Sequence, residues 1–219
     1  METVINEAKQ WYLENGDASH DWTHIERVRK NARKICDMEL ETNNQTINAE
    51  LVDIAIILHV VDDYKLKKNK LAQESNLGYP NIRFILSNSG FEYITNEVID
   101  IVEHVGYSDE KASKIPVVGE LKVSEENLLK AFPVNASIEM KIVQDADRLE
   151  SFGANAIMRY VNTGAIQTPQ RTFDVTVNTI LYRSKLVFDW MKTDSGKILA
   201  KEPFKFTMDF VSYYLLKKL

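Results

Sequence analysis

From Leu51 to Val61 the chain reads Leu-Val-Asp-Ile-Ala-Ile-Ile-Leu-His-Val-Val, and only Asp53 and His59 interrupt the apolar residues. Such a stretch leaves no face for water, so it belongs in the middle of a domain. Its Ile and Val would suit a buried strand, but the run is long for one and its neighbours are helical in pattern. The reading is therefore a buried helix within residues 48–65, running into His59, Asp62, Asp63 and Lys65. Charge at the end of a buried helix is costly without a metal or a partner. That tension marks where chemistry is to be sought.

Around this helix, apolar residues recur at helical spacing. Val4, Ile5, Ala8, Trp11 and Tyr12 predict a helix over 2–14, closed by Gly16. Asp17 and Ser19 offer capping oxygens for a second helix, which runs to about Glu41 with Ile25, Val28, Ala32 and Ile35 as its core row. The lysine-rich residues 64–77 read as a loop. Ile82, Ile85 and Leu86 mark a short helix after Pro80, stopped by Ser89-Gly90; Ile94 to Val105 mark another. Residues 107–136 lack a sustained period and read as irregular, with one helical turn around 125–130. A helix then runs from Ser137 through Gly153 to about Val161, followed by a loop over 162–173 and a helix through Val177 and Trp190 that Gly196 interrupts. Pro203 suits the first position of the last helix, whose Phe206, Phe210, Tyr213 and Leu216 can cover the core or form an oligomer contact, core packing being the expectation. No repeat or linker divides the chain. The expectation is one all-α domain over residues 1–219.

Charge and cysteine usage narrow the function classes. A net charge of −5 and the absence of a basic helix or aromatic base-stacking motif argue against nucleic acid as a partner. The single cysteine, Cys36, excludes an internal disulfide and a Cys-based zinc cluster, and its apolar row makes it a small core residue. The first residues have neither the basic start nor the apolar stretch of a signal peptide. The longest apolar run is far below the roughly 18–20 residues that span a bilayer. A cytoplasmic protein without a membrane partner is expected, as a monomer or a homodimer.

Only four histidines are present: His20, His24, His59 and His104. His20 and His24 share a helix face, and His24 borders the Ile25–Val28 core row. His104 lies one turn after Asp100, which favours a surface hydrogen bond. Further on, Val143-Gln-Asp-Ala-Asp-Arg-Leu-Glu sets Asp145 and Asp147 in an otherwise apolar helix. Two histidines from separate helices and a half-buried aspartate make a reasonable site for a divalent ion, because imidazole and carboxylate together suit several such metals.

Three motifs in order, His20-Asp21-x-x-His24-x-x-Arg27-Val28, Leu58-His59-x-x-Asp62-Asp63-Tyr64-Lys65 and Gln144-Asp-Ala-Asp147-Arg-Leu149, resemble the HD-domain phosphohydrolase superfamily, in particular its bacterial single-domain, all-helical branch. Similarity continues through Tyr107-Ser108, Gly153-Ala154 and Met191-x-Thr193-x-x-Gly196, covering nearly the whole chain. The resemblance implies a single helical HD-type domain and a divalent metal (Mn, Mg, Fe, Zn or Ni) held by His24, by His59 with residue 60, and by Asp147. Such a metal lowers the pKa of a water and offsets charge on a phosphate oxygen, which implies hydrolysis of a small phosphorylated metabolite, with nucleotides as the class some relatives use.

The chain departs from the family at one ligand. Where the superfamily has the aspartate that names it, this sequence has Val60, which cannot coordinate. Asp62 and Asp63 lie three and four residues beyond His59, so on a continuing helix either can share its face and stand in. The other reading leaves them near the substrate, with the metal site damaged and the chain acting as a nucleotide- or protein-binding module. Arg27 is a candidate phosphate contact, or a salt-bridge partner for Asp21 or Asp147. Lys65 is a second candidate phosphate contact. His20 and Asp21 are candidates for orienting His24 or the substrate.

Overall fold

A computed structural model describes residues 1–16, 21–43, 46–62, 78–115, 122–124, 128, 131–167 and 171–217. The described residues form ten α-helices and a short 3-10 turn, so the chain is all-α as its sequence predicts. Two compact units divide the chain, each made of two separate pieces: residues 1–15 with 46–144, and residues 16–45 with 145–219.

In the first unit, helix α3 (Ala49–Leu58) is the centre, with Ile54, Ala55, Ile56, Ile57 and Leu58 wholly buried. Asn48 caps it by accepting from the Leu51 N–H, and the Glu139 carboxylate accepts from the Asn48 N–H. Helix α1 (Glu2–Asn15) packs on α3, with Val4, Ala8, Trp11 and Tyr12 buried, and the Tyr12 hydroxyl donates to the Ile57 carbonyl. Helix α2 (Trp22–Asn43) belongs to the second unit. Helix α4 (Pro80–Asn88) packs on α1, and α5 (Thr95–Glu103) packs on both α3 and α4. Gly90, at φ +75°, closes α4 with the left-handed turn that Ser89-Gly90 announces in the sequence. Helix α6 (Tyr107–Lys114) replaces the irregular start expected at residue 107. Its apolar content is too low to show a period, and Asp109 and Glu110 in its first turn suit the helix dipole instead.

Helix α7 (Ile138–Leu149) carries the chain from the first unit into the second at 144/145. In the second unit, α2 buries Ile25, Val28, Ala32 and Ile35, as their spacing predicts, together with Cys36. Helices α8 (Gly153–Gln167), α9 (Phe173–Asp189) and α10 (Asp194–Leu216) pack on one another around Ile157, Val177, Ile180 and Val211. Phe188 and Phe204 stack at 4.3 Å between ring centroids, with Phe152 edge-on to both.

Several boundaries differ from the sequence reading. The helix expected from Ser137 to Val161 is two helices, broken where Gly153 takes φ +80°; the second then reaches Gln167 rather than Val161. Gly196 lies in the first turn of α10, not between helices, and Pro203 is inside that helix rather than at its start. Thr193 is the true cap, accepting from the Gly196 N–H. The expected core row of this helix is also reversed. Phe206, Phe210, Tyr213 and Leu216 are exposed, and Ala200, Thr207 and Val211 face inward. Asp17, Ser19 and the 64–77 loop lie outside the described residues, as does most of the turn at 125–130. Among the described residues, no helix is long and apolar enough to cross a membrane.

Candidate metal centre

Asp21 begins the site. One of its carboxylate oxygens accepts from the His24 N–H at 2.9 Å and the other from the Thr23 hydroxyl, which makes Asp21 the cap of α2. Burial works to raise its pKa, but those hydrogen bonds and the nearby Arg27 and His24 outweigh it, and the carboxyl titrates below its usual range. Asp21 therefore fixes the backbone at His24, one of the two orienting tasks that its position suggests.

His24 is 1% exposed on the core side of α2. Its Nε2 lies 3.3 Å from Asp147 Oδ1 and its Nδ1 3.8 Å from Glu150 Oε2. Burial pulls the imidazole pKa down, yet the two carboxylates raise it further than burial and Arg159 lower it, so the net shift is upward. Arg27 donates through Nε to Glu150 Oε2 at 2.6 Å, so neither anticipated partner, Asp21 or Asp147, holds it. Glu150 in turn titrates below its usual range: burial opposes this, and His24 and Arg27 prevail.

Glu150 is the residue that sequence reading passed over. It is three residues beyond Asp147, a spacing that brings it to the same side, and that was the available signal. Asp145 and Asp147, two residues apart, point to opposite sides. Asp147 remains partly open to solvent beside His24. Asp145 is fully buried and accepts from the Lys192 N–H, the Thr193 N–H and the Thr193 hydroxyl. Burial pushes its carboxyl pKa up against those donors. Arg148 is buried as well, donating to the Trp190 carbonyl. Both therefore anchor the segment entering α10.

His59 belongs to the other unit. Helix α3 ends at Leu58, and His59 caps it with its Nδ1 2.7 Å from the Ile56 carbonyl oxygen. A carbonyl only accepts, so Nδ1 carries the proton and Nε2 keeps the lone pair that a metal ion needs. Because the helix stops, Asp62 does not follow His59 along one face. It sits at φ +71°, and its carboxylate accepts from the Asn81 and Ile82 N–H groups at 2.9 Å, capping α4. The continuing helix assumed for Asp62 is thus corrected: α3 stops at Leu58, and Asp62 takes a left-handed backbone that no helix continues through. Val60 is 3% exposed in the apolar core of this unit. His104 bonds through Nδ1 to the Asp100 carbonyl, as its position predicts. His20, Asp63 and Lys65 lie outside the described residues.

The donor set fits a divalent ion. Two ligand atoms each about 2.1 Å from one ion stand about 3.0–3.4 Å apart, and His24 Nε2 and Asp147 Oδ1 are separated by 3.3 Å. Imidazole with carboxylate accepts Mn, Fe, Zn or Ni.

No protein-family profile matches the chain. It is 27% identical over 205 residues to the uncharacterised protein YpgQ of Bacillus subtilis, covering 92% of this chain and 86% of that one. Among solved structures, YpgQ in complex with ADP superposes with a TM-score of 0.65 at 22% identity, covering 98% of this chain and 97% of that one. An HD-superfamily hydrolase of Bacillus thuringiensis gives 0.61 at 22%, over 99% and 95%. A Lactobacillus plantarum protein gives 0.71 at 18%, over 99% and 97%. This chain has the helical fold of the HD-superfamily hydrolases.

Proposed function

We propose that the chain is a metal-dependent phosphohydrolase acting on a small phosphorylated metabolite, and that this metabolite is a nucleotide. The pairing of buried His24 with half-buried Asp147, on a fold shared with HD-superfamily hydrolases, carries the reading. His59 is the third ligand in this proposal, on the strength of its motif and its Nε2 lone pair. A divalent cation at these donors supplies an acidified water and neutralises charge on a phosphate oxygen. Asp21 sets the position of His24 through the backbone, and Glu150 faces Nδ1 while holding Arg27. Arg27, about one-third exposed, is assigned to a substrate phosphate through its terminal nitrogens. His20 and Lys65 keep the substrate-binding roles their positions suggest, and Asp63 is the remaining carboxylate for the place of Val60. The nucleotide class is supported by YpgQ, which was crystallised with ADP. A single domain and a cytoplasmic setting belong to the same proposal.

A second reading rests on Val60: a metal-poor domain that binds its ligand without turnover. A panel of nucleoside mono-, di- and triphosphates and sugar phosphates, followed by phosphate and pyrophosphate release with Mn²⁺, separates the two. Metal-dependent release that His24→Ala abolishes sustains the hydrolase. Nucleotide binding that is unchanged in His24→Ala, with no release from any substrate, sustains the binding module.

A further inference from the structure

Helix α10 has two unlike faces. Gly196, Ala200, Thr207 and Val211 are buried. On the other side Phe206, Phe210, Tyr213 and Leu216 are 52%, 38%, 65% and 67% exposed. At 3.6 residues per turn, Glu202, Phe206, Phe210, Tyr213 and Lys217 fall within about 80° of one another. Glu202 and Lys217, at the two ends of this stripe, are both exposed, and the Lys217 ammonium lies 5.4 Å from the Tyr213 ring centroid. Beside the stripe, Lys205 and Asp209 pair with each other across one turn.

We propose that this face joins two copies of the chain, with their α10 helices antiparallel about a two-fold axis between residues 209 and 210. A two-fold interface must be complementary to itself. With the axis there, Glu202 of one copy meets Lys217 of the other, Phe206 meets Tyr213, and the two Phe210 rings meet at the centre. Opposite charges close both ends over an aromatic middle. A parallel arrangement would instead set Glu202 on Glu202 and Lys217 on Lys217. The three rings at their observed exposures, with Leu216 and the Glu202 and Lys217 stems, offer roughly 500 Å² per copy. That gives about 1,000 Å² in all, the lower bound for a specific interface, so the dimer is a weak one with micromolar dissociation. This inference is independent of the reaction proposed above.

Sedimentation velocity of the whole chain at about 1 and 100 µM tests it. The natural protein is expected to dimerise at the higher concentration. Phe210→Asp should stay monomeric at both, and so should Tyr213→Asp, whose 65% exposure leaves circular dichroism and Tm unchanged. Glu202→Lys and Lys217→Glu should each weaken dimerisation about tenfold, and the double exchange should restore it. A natural protein that is monomeric at 100 µM overturns the proposal, and so does a dimer indifferent to Phe210→Asp. Failure of the double exchange to restore association overturns the antiparallel pairing.

Discussion

His24 is held between opposed influences, burial favouring the neutral ring and two carboxylates favouring the charged one, and the carboxylates prevail. A histidine whose folded pKa is raised above about 6.5 adds stability that is complete below that pH and lost as pH rises through the folded value. Metal-stripped protein is therefore expected to lose Tm across that window, and His24→Gln to flatten the loss; thermal melts at stepped pH check this. Mn²⁺ competes with the same proton, so its affinity should rise with pH over the same range, with proton release visible by calorimetry in buffers of different ionisation enthalpy. Val60 is closed off from solvent. Val60→Asp should cost the metal-free protein about 2–4 kcal/mol in urea unfolding. If residue 60 completes the ligand set, the variant should also bind Mn²⁺ at least about tenfold more tightly.

At the scale of elements, the entry to α10 is fixed by buried carboxylates. Asp145 takes three donors from Lys192 and Thr193, and Glu39 accepts from the Ser195 N–H. Asp145→Ala leaves those donors buried and unsatisfied, and should cost about 3 kcal/mol or more. A Cβ at Gly196 would lie 2.5 Å from Asp145 Oδ2 and 2.8 Å from Thr193 Oγ1. Gly196→Ala is therefore expected to cost about 1–3 kcal/mol by overpacking. Urea unfolding of both variants measures the two effects. The sequence makes the existence of most helices plain, because α1, α2, α3 and α5 carry dense apolar periods. It hides their ends wherever a glycine or proline plays a tertiary part. Gly196 reads as a breaker, yet it is a helical residue required by a close approach. Pro203 reads as a start, yet it is tolerated inside a helix. Helix α6 is polar enough that periodicity misses it.

For the molecule as a whole, any ion that binds only the folded chain stabilises it by mass action. Mn²⁺ at about one hundred times its dissociation constant should add about 2.7 kcal/mol, roughly 5–10 °C in Tm for a chain of this length. His24→Ala should abolish the rise, which differential scanning calorimetry detects.

The sequence alone determined the all-helical architecture, the burial of α3, the core rows of α1 and α2, and His24 and Asp147 as candidate ligands. These follow from periodicity and motif order, which are local properties. Only the tertiary structure decided what depends on residues distant in sequence. It paired Glu150 with Arg27, gave Asp145 to the backbone of Lys192 and Thr193, and ended α3 at His59 so that Asp62 caps α4. It also turned the aromatic row of α10 outward. An aromatic stripe at helical spacing shows that a face exists, but only the packed neighbours determine whether that face points inward or into solvent.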